Sequence, residues 1–430
     1  MRILFVSGEL IAGDLPWRLK EEGNEVKLYV GHPLQAECQN GFVERVANWR
    51  QELGWVGKDG LIVFDDVGYG QEQDNLREEG YRVFGGSAGG DRLEQDREYG
   101  QKVLRSVGLN VEPTLNFATP REAIEHIRNH KAAYVVKQNN HQSALNYVGE
   151  LETGEDVLSM LKKYESVGVS DISLQKKLRG VEVGVARYFN GNDWVGPIEI
   201  SFEHKDLFND DIGPKTGEMG TLAWYDANED NPLFKKIIEP LKKYLQDIRF
   251  KGDISVNSFV HEHRVSPIEF TARIGCPIIH LQGDFNISPW GEFLAAIADG
   301  KRYDLQYKKG YGIVLTLALP PFPYEGISNE FSSDDLEIFF RDGLSAEERK
   351  RIHFEGVKLD MRDGRERYFV TKSIGYTMFV TGIGEKVESA QESAYSLARK
   401  VIIPKIFYRT DIGSRFLRND HEQLKQWGWL

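Results

Sequence analysis

Four short apolar runs, at residues 3–6, 26–30, 61–64 and 81–84, punctuate the first 90 residues, with polar, helix-compatible segments between them. Runs this short and this rich in branched and aromatic residues are buried strands. Strands separated by helices imply parallel pairing, so residues 1–90 are expected to form an open parallel α/β domain. Residues 15–22 read as a helix closed by Gly23-Asn24. The first turn, Ser7-Gly8-Glu9-Leu10-Ile11-Ala12-Gly13-Asp14, is not G-x-G-x-x-G and gives little support to dinucleotide binding.

From about Asp91 the texture changes. Residues 93–107 form a charged amphipathic pattern ended by Gly108, and Thr119-Pro120-Arg121-Glu122 is a capping box that opens a helix through Ile124 and Ile127. A strand at 134–137 delivers Lys137 into the polar loop 138–143. A helix after Thr153 and a strand at 172–174 complete a compact α+β lobe over about 114–175. Strands at 182–189, 197–202, 252–260 and 267–271 belong to a second sheet. Beyond 313 the pattern predicts strands at 314–318, 354–357 and 376–380 and a helix at 390–400. The charge-dense run 347–367 reads as a solvated face. Domains are therefore expected at 1–90, 91–312 (lobe 114–175 included) and 313–430.

Composition narrows the function. The 430 residues carry 54 basic and 66 acidic side chains, a formal charge of −12. That balance argues against a nucleic-acid or anionic-membrane binder, although a local basic pocket is compatible with it. Cys38 and Cys276 cannot build a disulfide framework or a clustered zinc site. The apolar run after Met1-Arg2 is too short for a signal peptide, and no stretch approaches the roughly 18 apolar residues of a membrane span. A soluble cytoplasmic protein, monomeric or homodimeric, is the expectation.

Four segments carry chemistry. Lys137, at the end of a buried strand, is a compact cation suited to nucleotide phosphates, or simply solvated. In Gln175-Lys176-Lys177-Leu178-Arg179-Gly180-Val181-Glu182, a strand edge can read an adenine edge and Leu178 can pack on the base. Glu182 can accept both ribose hydroxyls; a hairpin connection with an exposed glutamate is the plainer reading. Asp211-Ile212-Gly213-Pro214-Lys215-Thr216-Gly217-Glu218-Met219-Gly220, preceded by Glu203-His204-Lys205, has too many glycines for a regular element. Its turns would offer inward amides to anionic oxygens, unless it is a surface loop. In Pro267-Ile268-Glu269-Phe270-Thr271-Ala272-Arg273, alternation puts Glu269, Thr271 and Arg273 on one face. That pair of charges can hold cation-bridged phosphate, or be a cross-strand salt bridge.

Taken in order, these segments resemble the ATP-grasp superfamily and, within it, the phosphoribosylamine–glycine ligases. That family's loop reads Asp, any residue, Gly-Pro, any residue, Thr-Gly-Gly-Met-Gly, and only Glu218 departs from it here. His204-Lys205, Thr381-Gly382-Ile383-Gly384, Ala394-Tyr395 and Tyr408-Arg409-Thr410-Asp411-Ile412-Gly413 also match, so the resemblance spans roughly residues 80–415. It implies an ATP-grasp fold and an ATP-dependent carboxylate–amine ligase of purine biosynthesis. Such an enzyme passes through an acyl phosphate, with Mg²⁺ or Mn²⁺ and with ATP, a small amino acid such as glycine, and an amine as substrates. By position it assigns nucleotide binding to Arg97, Lys137, Gln175, Lys176, Leu178 and Glu182. It assigns the metal to Glu269, Thr271 and Asn257, and catalysis to Arg273, Lys205, Gly217 and Met219. The lobe 114–175 would be the lid.

The departures are specific. Thr271 stands where the family has a metal-binding asparagine, with Asn257 on the neighbouring strand able to compensate. The glycine-rich lid loop is replaced by residues 138–143, where His141 is a further phosphate candidate. Ser7-Gly8-Glu9 replaces the family's Gly-Gly-Arg-Glu-His-Ala turn, so the arginine that would meet a phosphate is gone. A ligase with another amine acceptor, and a nucleotide-binding protein that has lost catalysis, are the alternatives.

Overall fold

The computed structural model describes residues 1–138, 146–324, 332–373 and 375–430; the loop after Lys137, with His141, lies outside them. The N-terminal sheet is parallel, with Arg2–Ser7 at its centre between Glu25–Val30 and Leu61–Phe64. Glu44–Arg45 and Val83–Phe84 form its edges. Its strands are apolar on both faces because each face meets a different core: Phe5 and Val63 join the main one, Leu4, Val6 and Phe64 a smaller one with Trp49.

The helix expected over 93–107 is two helices, Ala88–Gln95 and Arg97–Ser106. Asp96 breaks the run because its carboxylate caps the second helix, accepting from the Tyr99 N–H at 3.0 Å. The lobe that follows has an antiparallel sheet ordered Thr114–Phe117, Ile172–Lys176, Tyr134–Gln138, Tyr147–Val148. Helices Pro120–Asn129 and Glu155–Ser166 cover it. Ile124, Ile127, Tyr134, Val136, Leu161 and Leu174 form a core separate from the rest of the protein. A lobe with its own core can move as a body.

The central sheet has eight strands. Their order is Arg264–Thr271, Lys251–His261, Val181–Asn190, Trp194–Glu203, Gly220–Asp226, Tyr311–Ala318, Tyr376–Gly384 and Ile352–Phe354, each antiparallel to its neighbours. The boundary expected at 312/313 falls inside this sheet. Two expectations are corrected. The segment 211–220 is not wholly irregular: Ile212–Lys215 pairs with Asp206–Phe208, and Gly220 already opens a strand. The run 347–367 is not one solvated face either. Ala346–Lys350 is largely exposed, but Ile352–Phe354 joins the sheet edge and buries His353 and Glu355. Ile352 and Phe354 alternate with charge, and burial of those two rather than charge density decides the outcome.

Register explains the site. Gly184 faces Ser201 on one side and Asn257 on the other, Ala186 faces Glu199 and Ser255, and Asn257 faces Glu269. Period-two alternation then places Glu182, Glu199, Ser201, Glu203, Asp253, Asn257, Glu269 and Thr271 on one face. A Cβ at Gly184 would come within 2.3 Å of Ser201 Oγ and 2.9 Å of Asn257 Oδ1, so glycine makes the room these two polar groups occupy. Gly184→Ala is expected to destabilise by about 1–3 kcal/mol, as overpacking does. Adding Ser201→Ala should restore part of the loss; urea denaturation midpoints of the two variants measure it.

Candidate active site

The polar face of the central sheet forms one wall of a cavity of about 130 Å³. Lys205, Gly217, Asn257, Glu269, Thr271 and Arg273 all line it. Lys205 is its electrostatic centre. Its ammonium lies 3.0 Å from Glu203, 3.6 Å from Glu182 and in direct contact with Glu269. Burial alone would lower the Lys205 pKa, but the three carboxylates outweigh it and hold the group well above its usual range. In return Lys205, more than any other neighbour, drives Glu269 down to about 2. Asn257 Nδ2 donates to Glu203 at 2.8 Å and to Glu269 at 3.3 Å, which ties the two strands' carboxylates together.

Lys137 is brought to the same place from the lobe. Its ammonium donates to Gln175 Oε1 at 3.5 Å, and Gln175 Nε2 donates to the Glu112 carbonyl at 3.0 Å. Burial first, then the nearby Arg97 charge, lowers Lys137 to about 8, against the opposing pull of Glu269. Arg97, also lowered by burial, feels the same Glu269 charge. Glu182 is raised by burial and partly rescued by Lys205. Lys137, Arg97, Glu182 and Glu269 therefore share one electrostatic neighbourhood.

The glycine-rich segment reaches the cavity through Gly217 and Glu218. A Cβ at Gly217 would come within 2.3 Å of the Tyr376 hydroxyl, which instead accepts the Glu218 N–H at 3.0 Å. The amides of Thr216 and Met219 are also spent, on the carbonyls of Lys205 and His204 at 2.8 Å each. The expected nest of inward amides is thus largely bonded to protein. Met219 is fully buried; its N–H goes to the His204 carbonyl and its carbonyl accepts from the Thr316 N–H, and it does not line the cavity. Arg409, 2 % exposed, donates to the Asp206 carbonyl at 2.9 Å and pairs with Asp211 at 3.0 Å and Asp411 at 2.8 Å, so the chain's end clamps the segment. His204 is buried, and burial together with Arg415 and Arg409 lowers it to about 4, leaving it neutral.

Arg273 does not pair with Glu269. Its strand ends at Thr271, and the guanidinium turns to Glu94 (3.1 Å) and Asp66 (3.8 Å) of the N-terminal part. Beyond it, Asp65 and Asp66, which follow strand Leu61–Phe64, stand against the first turn. Asp65 accepts from Ser7 Oγ at 3.0 Å and from the Ala12 N–H at 2.9 Å. Burial raises Asp65 to about 7 and Asp66 to about 6, the latter despite Arg273. Lys176 is exposed and Leu178 half-buried on the connection between lobe and sheet; neither lines the cavity.

The oxygen donors Asn257 Oδ1, Glu269 and Thr271 suit a hard divalent cation. Asn257 Oδ1 is buried without a partner, and Glu269 is kept ionised, so these residues fit such an ion. Sequence reasoning missed Glu199, Ser201 and Asp253, and quoted Glu203 without giving it a role. The sequence shows polar residues alternating with Ile198, Ile200 and Phe202, the same pattern as a strand with one solvated face; only the structure shows that the polar face is buried.

Residues 95–278 match the profile of the phosphoribosylglycinamide synthetase ATP-grasp (A) domain. Over 359 residues the chain is 24% identical to the phosphoribosylamine–glycine ligase of Listeria innocua serovar 6a, covering 80% of each protein. It is 25% identical over 352 residues to that of Corynebacterium ammoniagenes, covering 79% of this chain and 78% of the relative. Among solved structures, the phosphoribosylamine–glycine ligase of Thermotoga maritima superposes with a TM-score of 0.71 at 21% identity, covering 96% of this chain and all of that one. A biotin carboxylase from Campylobacter jejuni gives 0.62 at 11% identity over 99% and 98%. The ATP-grasp fold expected from the motifs is borne out. No helix among the described residues is long and apolar enough to cross a membrane.

The Lys205 cage has a pH signature. Glu269, whose folded pKa is depressed, contributes stability that is present above its ordinary pKa of 4.5 and is lost as pH falls toward 2. Lys205→Met removes the cause of the depression. The gap in urea midpoint between wild type and variant is therefore expected to be widest near pH 7 and to close between about pH 5 and 2.

Proposed function

We propose that this chain, carrying an ATP-grasp domain over residues 95–278, is an ATP-dependent carboxylate–amine ligase of the phosphoribosylamine–glycine ligase kind, working in the cytoplasm on small charged substrates. The observation that carries this reading is the convergence of Lys137 and Arg97 on Glu269, beside a cavity that also presents Lys205 and Arg273.

A carboxylate is a poor electrophile until an oxygen is converted to a leaving group. In the reaction proposed, a carboxylate oxygen attacks the γ-phosphorus of ATP, giving an acyl phosphate and ADP. An amine then adds to the carbonyl and expels phosphate, leaving an amide. Lys137 and Arg97 neutralise the phosphates, Lys137 being aimed by Gln175. Glu182 accepts the ribose hydroxyls, and the connection carrying Lys176 and Leu178 offers backbone groups and an apolar side chain to the base. Glu269, Asn257 and Thr271 would hold a divalent cation, Mg²⁺ or Mn²⁺, which spreads the charge of the transferring phosphoryl group. Arg273 orients the carboxylate and stabilises the negative charge that develops on its oxygens. The separately cored lobe closes over the nucleotide and keeps water from the acyl phosphate.

Phosphoribosylamine with glycine is the first pair to test. A second reading, a different amine acceptor, is favoured by one observation: Asp65 and Asp66 stand at the first turn, where the resemblance would put an arginine for the acceptor's phosphate.

Purified protein with ATP, Mg²⁺ and a panel of amino acids and amines is expected to release ADP and phosphate with at least one pair. Binding of Mg·ATP without turnover on any pair would instead identify a nucleotide-binding protein that has lost catalysis. Lys137→Met and Glu269→Gln are each expected to lower kcat/KM by about 100-fold or more while circular dichroism stays unchanged. Because Lys137 must be charged to meet phosphate, ATP affinity should fall above about pH 8. The fall is expected to approach tenfold per pH unit in the wild type and to vanish in Lys137→Met, as measured by calorimetric titration.

A further inference from the structure

Two buried polar atoms near one cysteine have no partner and no part in the reaction described above. His280 Nε2 and Glu355 Oε2 make no hydrogen bond, and each residue is 2 % exposed. A ligand atom from each of Cys276, His280 and Glu355 lies within 4.8 Å of the other two. Buried polar atoms are rarely left unpaired in native proteins. A thiol has a single weak S–H donor, so Cys276 cannot satisfy both.

Distant parts of the chain supply these residues. Cys276 lies in the turn between strand Arg264–Thr271 and helix Ile278–Phe285, His280 on that helix, and Glu355 directly after the edge strand Ile352–Phe354. Sequence spacing, which offers no clustered zinc motif at either cysteine, could not show this convergence, because the sheet makes it. The His280 ring is held in place. It stacks on Phe379 with centroids 4.3 Å apart, and its Nδ1 lies 3.6 Å from Asp14 Oδ1. A carboxylate beside one ring nitrogen and an open second nitrogen is how metal-binding histidines are oriented. Burial lowers His280 to about 4, so the open nitrogen keeps its lone pair at neutral pH.

The adjacent group of Asp14, His280 and His353 is also compact, but its carboxylate is already satisfied. Asp14 pairs with Arg18 at 2.9 Å and accepts from His353 Nδ1 at 3.1 Å. An ion there would meet a guanidinium on the same carboxylate.

We infer that Cys276, His280 and Glu355 form a site for a divalent transition-metal ion of the zinc class, held by a thiolate, an imidazole nitrogen and a carboxylate oxygen. Sulfur and nitrogen donors select such an ion over magnesium, which separates this site from the all-oxygen set of Asn257, Glu269 and Thr271. Bonds of about 2.0–2.3 Å to a tetrahedral ion put its ligand atoms about 3.3–3.7 Å apart. From a spacing within 4.8 Å, the three close by no more than about 1.5 Å. Binding sends the Cys276 thiol proton to solvent. Cys276 is half-buried and lines the cavity, whereas His280 and Glu355 do not, so the ion enters past the sulfur and its fourth position is on the cavity side. Once bound, it pins helix Ile278–Phe285, which carries Gln282, to the last strand of the central sheet. The inference is independent of the ligase reading.

The test is metal binding by the full chain. Protein stripped with a chelator and titrated with Zn²⁺, with Mg²⁺ in large excess, is expected to bind one equivalent with a Kd of about 1 μM or below. His280→Gln and Glu355→Gln should each weaken Zn²⁺ about tenfold or more. Co²⁺ in place of Zn²⁺ should give the sulfur-to-metal charge-transfer absorption of a thiolate complex. That absorption should be absent in Cys276→Ser and retained in Cys38→Ser, since the Cys38 thiol lies elsewhere, 3.1 Å from Thr371 Oγ1. A measurement that needs no variant is alkylation of the wild type by iodoacetamide, read by peptide mass spectrometry. Zn²⁺ should slow modification of Cys276 by at least about tenfold. Zn²⁺ binding abolished by excess Mg²⁺, a charge-transfer band that survives Cys276→Ser or disappears in Cys38→Ser, or alkylation of Cys276 indifferent to Zn²⁺ would each overturn the site.

Discussion

One ammonium among three carboxylates organises the molecule. Lys205 sits between Glu182, Glu203 and Glu269, which come from three different strands of the central sheet. Without it, the carboxylates would repel one another across adjacent strands, a penalty that grows as water is excluded. With it, Glu269 remains an ionised oxygen donor at any physiological pH, and Glu203 is free to orient Asn257. The same cation depends on the segment after it, because the Lys205 carbonyl accepts from both the Thr216 N–H and hydroxyl at 2.8 Å. Arg409 then anchors that segment to the end of the chain. A disturbance some 200 residues away in sequence therefore reaches the site through two ion pairs and a hairpin.

How much of this was legible beforehand divides along a physical line. Local rules found the elements: the first parallel strands, the helix opened by Thr119-Pro120, and the strand ending in Lys137 all lie within a residue or two of where periodicity put them. The sheet's face was legible only in part. Glu269 and Thr271 were placed by alternation, but Arg273 was assumed to continue the strand, whereas the chain leaves the sheet after Thr271 and the guanidinium swings to Glu94. Glu199 and Asp253 went unread because no local pattern distinguishes a buried polar face lining a cavity from an exposed one. That distinction depends on the helix Ile278–Phe285, which brings Gln282 over them. The burial of His353 and Glu355 was lost for the same reason: it is a property of the sheet edge they join, not of the charges around them.

A chain of net charge −12 still gathers basic side chains, Lys205 and Arg273, at the cavity, with carboxylates interleaved. Arg97 and Lys137 both sense Glu269, Lys205 is held among Glu182, Glu203 and Glu269, and Arg273 stands toward the N-terminal turn. Glu199 and Asp253 lie under Gln282, and Asp65 and Asp66 lie beyond Arg273. Burial amplifies both signs at once. It pulls Lys137 down to about 8 and pushes Glu199 up to about 8, so each group is held near the pH at which a ligand of opposite charge tips it into its ionised form.

The same sorting bears on the amine that captures the activated acyl group. A phosphorylated acceptor approaching between the first turn and Arg273 would meet Asp65 and Asp66, and the guanidinium it needs is shared with Glu94 and Asp66. Like charges at that separation cost free energy unless a proton or a cation intervenes. The Asp66 carboxyl, held at about 6, supplies one way out by accepting a proton, and an acceptor that is itself positive supplies the other. The two differ in what they ask of pH. Protonation helps a phosphorylated acceptor only as the solution becomes acidic, where its amine is also protonated and unreactive. An acceptor whose positive charge is separate from the attacking nitrogen instead pairs with the ionised carboxylates at higher pH, where that nitrogen is free. Ionised Asp66 therefore competes with any acceptor phosphate for Arg273, and the competition weakens as the pH falls toward 6 and the carboxyl takes up a proton.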